Sequence, residues 1–181
     1  MQYLKKEVRD RIVSSAIGEF KTFGFNDSSV RNIATNAGIS LGNVYRYYES
    51  KEDLYCAVSK PLLDNAKAFV ESKEFAYLEQ DRRVDKICEF FITNGDLVIV
   101  TKKGTSDHVA AYYDQFVKIC AKAVEETART NQRLCVSNPD FYQTIADAYV
   151  GSLAGVLSGN LDLVTKRGYI KEITLFFFKN I

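Results

Sequence analysis

Apolar residues recur at spacings of three and four along almost all of this 181-residue chain, and only two prolines, Pro61 and Pro139, interrupt the pattern. That rhythm lines one side of a 3.6-residue turn, so it predicts helices throughout and an all-α fold; no pair of segments reads as a β-hairpin. Leu4, Val8, Ile12, Ala16, Phe20 and Phe23 form one stripe, predicting a first helix from about residue 4 to Phe23 that stops at Gly24. The polar turn Gly-Phe-Asn-Asp-Ser-Ser (24–29) ends in a hydroxyl suited to capping a short second helix with Val30, Ile33, Ala34 and Ala37 turned inward. Asn36-Ala37-Gly38 ends that helix, Gly38 supplying a residue able to take positive φ. Ser40 caps a third helix, about 41–47, with Leu41, Val44 and Tyr48 on or near its inner side and Gly42, Asn43, Arg46 and Tyr47 freer to face outward. Ser50-Lys51-Glu52-Asp53 reads as a cap followed by an acidic first turn, opening a fourth helix that Pro61 is expected to bend.

Farther on, polar or breaking segments near 59–61, 72–81, 101–107, 129–139 and 158–168 separate four or five further helices, with no fixed repeat and no long linker. Hydrophobic residues make up 46% of the chain and charged residues 26%, the balance of a soluble globular protein with an ordinary core. The four cysteines, Cys56, Cys88, Cys120 and Cys135, include no C-x-x-C pair and have no neighbouring histidine, so they read as buried, reduced thiols rather than a zinc site. Charges near the N-terminus exclude a secretory signal there, and no apolar segment reaches the roughly 20 residues of a membrane span. A cytoplasmic location and no membrane partner are therefore expected. Net charge is only +1, and residues 1–55 hold eight Lys/Arg against seven Asp/Glu, so any polyanion partner must be recognised locally.

Two short helices joined by a tight glycine-containing turn, packed behind a longer first helix, describe a helix-turn-helix unit. Ile33, Ala34, Gly38, Ile39 and Val44 are distributed as such a unit needs, leaving the polar side chains of its second helix for a major groove. The stretch 24–54, from Gly-Phe-Asn-Asp-Ser-Ser through Val-Tyr-Arg-Tyr-Tyr-Glu-Ser-Lys-Glu-Asp-Leu, resembles the signature of the TetR family of transcriptional regulators. One departure is Tyr48, where that family more often has Phe; its hydroxyl needs a partner. The expected organisation is a three-helix DNA-binding domain over residues 1–50 and a helical ligand-sensing and dimerisation domain over 51–181.

The resemblance implies site residues one by one. Ser29 caps the second helix and either touches a phosphate or acts as a cap alone. Arg31 matches a position used near base edges, where a guanidinium suits guanine O6 and N7, unless it is simply solvated. Leu41, Gly42 and Asn43 occupy the positions most exposed to bases: a thymine methyl for Leu41, close backbone approach for Gly42, adenine for Asn43. Tyr45 and Tyr47 resemble positions whose hydroxyls contact phosphates, with core packing the alternative for Tyr45. Lys51, at the next helix N-terminus, favours an anion.

One helix-turn-helix contacts too few bases for specific binding, so a homodimer on a palindromic double-stranded DNA operator is expected. Its interface is placed on two last helices, roughly Asp140–Leu157 and Tyr169–Asn180, where the small-residue run 151–159 and the apolar run 173–178 are ill suited to water. A monomer that hides these residues in its own core is the alternative. Phe91, Tyr112, Tyr113, Phe116, Tyr142 and Tyr149, with Phe90, are candidates to line a pocket for an unidentified small-molecule effector, although aromatics at helical spacing also make ordinary cores. His108 reads as an exposed loop residue. With one histidine, scattered cysteines and no glycine-rich phosphate loop, no catalytic constellation stands out, so neither enzyme activity nor a cofactor is expected. The resulting expectation is a ligand-responsive regulator, more often a repressor in the family, released from DNA by its effector. The rival is a dimeric ligand-binding or protein-interaction module on the same scaffold that does not bind an operator.

Overall fold

The structure is a computed structural model that describes residues 5–72, 78–103, 107–131, 136 and 138–178. Leu4, Cys135, Asn180 and the His108 side chain lie outside the described residues. Among the described residues the chain forms nine helices and no strand: α1 Lys6–Asp27, α2 Val30–Asn36, α3 Leu41–Val44, α4 Lys51–Val70, α5 Gln80–Thr93, α6 Gly95–Lys102, α7 Asp107–Asn131, α8 Pro139–Ser158 and α9 Leu163–Phe178. His108 thus belongs to the first turn of α7 rather than to a loop.

The stripe predicted for α1 buries Ile12, Ala16 and Phe20, but Phe23, its expected last member, is exposed. The helix breaks one residue later at Gly24, whose φ is 72° and ψ −179°. A left-handed φ costs a side-chain-bearing residue about 1–2 kcal/mol and glycine almost nothing. The reversal brings Phe25 onto the core side, against Phe20 and edge-on to Tyr55 at 5.3 Å. Tyr55, from α4, is fully buried, meets Phe20 edge-on at 5.3 Å and donates its hydroxyl to the carbonyl of Val100 on α6 at 3.2 Å. Burial pushes this phenol up to about 12, so it remains a neutral donor. The core around it joins α1 to α4 with Val100 and Val109, so the start of α4 packs as part of the N-terminal unit.

α4 runs through Pro61 as one helix, so the break expected near 59–61 does not occur. Its start carries the predicted cap: Ser50 Oγ accepts from the Asp53 N–H at 3.0 Å, and the Asp53 carboxylate accepts from the Glu49 N–H at 3.1 Å. A different break appears at Asn94, between α5 and α6. The Asn94 side chain bonds Asn65 at 2.8 Å and the Phe90 carbonyl at 2.9 Å, which satisfies a buried amide where the chain changes direction. Gly95 follows because a Cβ there would lie 2.9 Å from Leu157 Cδ2. The last helix starts at Leu163, earlier than the expected Tyr169: Asp162 accepts from the Thr165 N–H at 3.0 Å and from its hydroxyl at 2.6 Å, a cap that Gly159 and Gly168 obscure in the sequence.

α6 sits centrally, touching α1, α4, α5, α7 and α8, and buries Val98, Ile99 and Val100. α7 packs along α4 and α8, and α9 closes the unit against α5 and α8. Arg167–Glu89 at 2.9 Å and Lys171–Asp85 at 2.6 Å link α9 to α5 at the surface. None of the described helices is long and apolar enough to cross a membrane.

Candidate functional site

α2 opens on a buried carboxylate. Glu19 accepts from the Ser29 N–H at 3.0 Å and from Asn32 Nδ2 at 3.1 Å, placing negative charge at the positive end of the helix dipole. Ser29 is the N-cap, its Oγ accepting from the Asn32 N–H at 3.5 Å. Arg31 projects from the same turn and is exposed. The helix ends in a Schellman motif: Ile39 N–H donates to Ala34 O and Gly38 N–H to Thr35 O, both at 3.0 Å, with Gly38 at φ 67°. These bonds fix the angle at which the chain enters α3.

Ser40 caps α3, accepting from the Asn43 N–H at 3.3 Å. The predicted helix over 41–47 is a single α-turn, Leu41–Val44, tightened afterwards by i→i−3 bonds from Arg46 N–H to Asn43 O and from Tyr47 N–H to Val44 O. Val44 and Tyr48 are buried, Leu41 is half-buried against the core, Asn43 is half-exposed, and Gly42 and Arg46 face water. Tyr45 is 47% exposed, so its ring is not a core residue. Tyr47 is half-buried and its hydroxyl accepts from the Lys5 N–H at 3.1 Å. Arg9 hydrogen-bonds the Tyr48 hydroxyl, which provides the partner that replacing Phe requires; burial raises that phenol.

Lys51 has an engagement the sequence reading lacked. Its Nζ donates to the carbonyls of Ser28 at 2.7 Å and Asn26 at 3.1 Å and sits 4.7 Å from the centre of the Phe25 ring. Two of three ammonium protons therefore tie α4 to the end of α1, and burial lowers this lysine below its usual value.

The second feature is a cavity of about 450 Å³ between α4, α5, α7, α8 and α9. Phe91, Phe116 and Tyr149 line it, whereas Tyr112, Tyr113 and Tyr142 do not. Tyr112 packs edge-on to Tyr55 at 6.1 Å. The Tyr113 hydroxyl bonds Asp147 at 2.8 Å, and burial together with that carboxylate raises its phenol. Tyr142 fills a separate small core between α7 and α8 and accepts from the Val136 N–H at 3.2 Å. Tyr149 shares its hydroxyl with Thr174 at 2.8 Å, so the polar atom is satisfied at the cavity wall. Phe69, Ile87, Cys120 and Phe178 complete much of the apolar lining, and Gln80, Arg83 and Thr127 supply polarity. Cys56, Cys88 and Cys120 are free thiols, and burial pushes Cys120 up to about 12. Among the described residues no cluster of His, Cys, Asp or Glu is arranged to hold a metal.

Residues 12–58 match the family model of bacterial regulatory proteins, tetR family. The HTH-type transcriptional regulator RutR of Escherichia coli K12 is 43% identical over 53 residues, which are 29% of this chain and 25% of that relative's length. The uncharacterized HTH-type transcriptional regulator YdgC of Bacillus subtilis is 26% identical over 156 residues, covering 81% of this chain and 77% of the relative. Among solved structures, the fatty acid degradation regulator FadR of Bacillus halodurans superposes with a TM-score of 0.65 at 15% identity, covering 98% of this chain and 97% of that one. Residues 12–58 are thus similar to the tetR family of bacterial regulatory proteins, and the whole chain shares its fold with a solved regulator structure.

Proposed function

We propose that the chain is a ligand-responsive DNA-binding transcriptional regulator, acting as a repressor, that binds a palindromic operator as a homodimer and is released by a small molecule. The observation that carries this reading is the face made by α2 and α3. Its apolar residues are committed to a complete core, while Arg31, Gly42, Tyr45 and Arg46 are exposed beside Asn43. Arg31 and Asn43 have the donor and acceptor geometry for guanine and adenine edges, Gly42 allows the backbone close to the groove, and Ser29, Tyr45 and Tyr47 reach for phosphates. Lys51 supports this face by holding α4 against α1, with one proton left for a phosphate.

Dimerisation is supported by the outer side of α8 and α9. Val164 is 80% and Phe176 79% exposed, with Leu163 and Tyr169 also exposed, beside the small exposed residues Ser152 and Gly155 of α8. A second copy covering this surface removes apolar area from water, worth about 25 cal/mol per Å². The cavity is the effector site: its occupant shifts the population between subunit arrangements, and only one of them sets the recognition helices in successive grooves. The near-neutral N-terminal unit favours the rival module without an operator.

Selection of random duplex DNA on the purified protein, followed by salt titration of the best sequence, separates the two. Enrichment of a palindrome that an Arg31→Ala, Asn43→Ala double variant no longer prefers supports the regulator; no enrichment at low salt supports the module. Each lost base contact is expected to cost about 1–3 kcal/mol of discrimination.

A further inference from the structure

We infer that Glu19 is a positioning residue for the DNA face: from the inward side of α1 its carboxylate fixes the first turn of α2, and with it the direction of Arg31, which sets how well an operator is told from random duplex. The inference rests on the proposed reading that α2 and α3 meet DNA. Glu19 itself is 5% exposed, too deeply buried to touch a nucleic acid. It follows Ala16 by three residues and precedes Phe20, so an acid stands on the stripe that otherwise builds the core. A carboxylate in such a place is costly unless donors meet it. Two do, and both converge on the same oxygen: Oε1 accepts from the Ser29 N–H at 3.0 Å and from Asn32 Nδ2 at 3.1 Å.

Ser29 is the cap of α2, and Asn32 stands three residues after it, where a capping box has a Glu or Gln that reaches back to the cap N–H. Here the Asn32 side chain turns to α1 instead, and Glu19 supplies the acceptor from the neighbouring helix. A bond that a capping box makes within one helix therefore ties two together. α2 has seven residues, too few to hold a helical shape alone in water, so its neighbours set its course. Apolar packing of Ile33 and Ala34 is not directional, whereas the two bonds to Glu19 are. They grip the backbone before Arg31 and the side chain after it. Arg31 lies between them, exposed, and a bidentate contact to guanine tolerates little displacement of its fork. Because both bonds use one oxygen, a glutamine at 19 can keep them and remove only the charge. A leucine keeps the bulk and removes both.

The test compares binding of the full-length chain to the selected duplex and to a scrambled duplex of equal length, at one salt concentration and at a temperature where circular dichroism shows every variant folded. Loss of stability weakens binding to both duplexes alike, whereas a misdirected α2 weakens the selected one alone. Glu19→Leu is expected to lower the ratio of the two affinities about tenfold, the scale of one lost base contact, and Glu19→Gln to leave it within about threefold of the parent. Asn32→Asp sets a second carboxylate against the first and is expected to lower the ratio about tenfold as well. Combining Glu19→Gln with Asn32→Asp moves the acid to the capping-box position, with the glutamine amide as its donor, and is expected to restore the ratio to within about threefold. This exchange decides the matter where Glu19→Leu fails to fold. An unmoved ratio in folded Glu19→Leu or Asn32→Asp, an equal fall for both duplexes, or no recovery in the exchanged pair would overturn the inference and leave DNA binding standing. If the parent chain selects no duplex, the DNA reading falls and this inference with it.

Discussion

The two ends of this molecule are built from the same kind of amphipathic helix and keep their interiors differently. Around Tyr55 the rings pack on one another: Phe20 and Phe25 each meet it edge-on at 5.3 Å, and all three are buried. Between α4 and α9 the same rhythm of apolar residues surrounds a volume of about 450 Å³ with a cation in its wall. A filled interior makes a rigid platform for the side chains on its outer face, and a hollow one leaves room among its inner side chains. Helical periodicity tells which side of a helix faces inward and is silent on whether the inward sides meet.

The sharpest way to break that comparison is to truncate one phenylalanine at each end and follow denaturant unfolding at fixed protein concentration. Phe20→Ala removes a ring surrounded on all sides and is expected to destabilise by about 3–5 kcal/mol. Phe91→Ala, also buried but lining the cavity, should cost less, at or below about 3 kcal/mol, because one side of its ring faces that space. Equal losses would mean that the cavity is closed by packing in solution and that the contrast is not real.

Gly38→Ala comes next in size. A side chain at φ 67° costs about 1–2 kcal/mol, and the strain falls on the turn that aims α3. Operator affinity is therefore expected to fall by more than stability alone accounts for, whereas binding of a cavity ligand should be untouched. A loss of both together would show that the turn acts through global unfolding.

The helix-turn-helix geometry at the N-terminal end was legible in the sequence because its determinants are local. Ser29, Ser40 and Ser50 each cap the helix that follows, and Gly38 turns with positive φ, all within 22 residues of chain. Two local details escaped: Phe23 is exposed just before the backbone reverses at Gly24, and Lys51 donates its ammonium to the carbonyls of Asn26 and Ser28. The cavity was less legible, since its residues come from five helices and its existence depends on volumes that do not fill. Aromatic identity misled at Tyr113 and Tyr142, whose hydroxyls are tethered elsewhere. A better signal was present in α5, where Gln80, Arg83, Val84, Ile87 and Phe91 share one face. A cation on that apolar stripe marks a place where charge is kept near the interior.

The junction between the two ends supplies the finest discrimination. Tyr55→Phe removes the buried bond to the Val100 carbonyl and leaves that acceptor unsatisfied, for an expected cost of about 1–2 kcal/mol. Lys21→Met removes the Lys21–Asp96 ion pair at 2.6 Å, which joins α1 to α6 where Tyr55 joins α4 to α6, but lies largely in solvent, so about 0.2–1 kcal/mol is expected, shrinking as salt is added. The bond that the Lys103 ammonium donates to the Lys21 carbonyl at 2.6 Å survives this substitution, because it does not use the Lys21 side chain. If Lys21→Met costs as much as Tyr55→Phe, and the cost persists at high salt, the ends are held together by surface charge. If the order is as stated, the buried tyrosine is the joint, and the filled end reaches into the hollow one through α6.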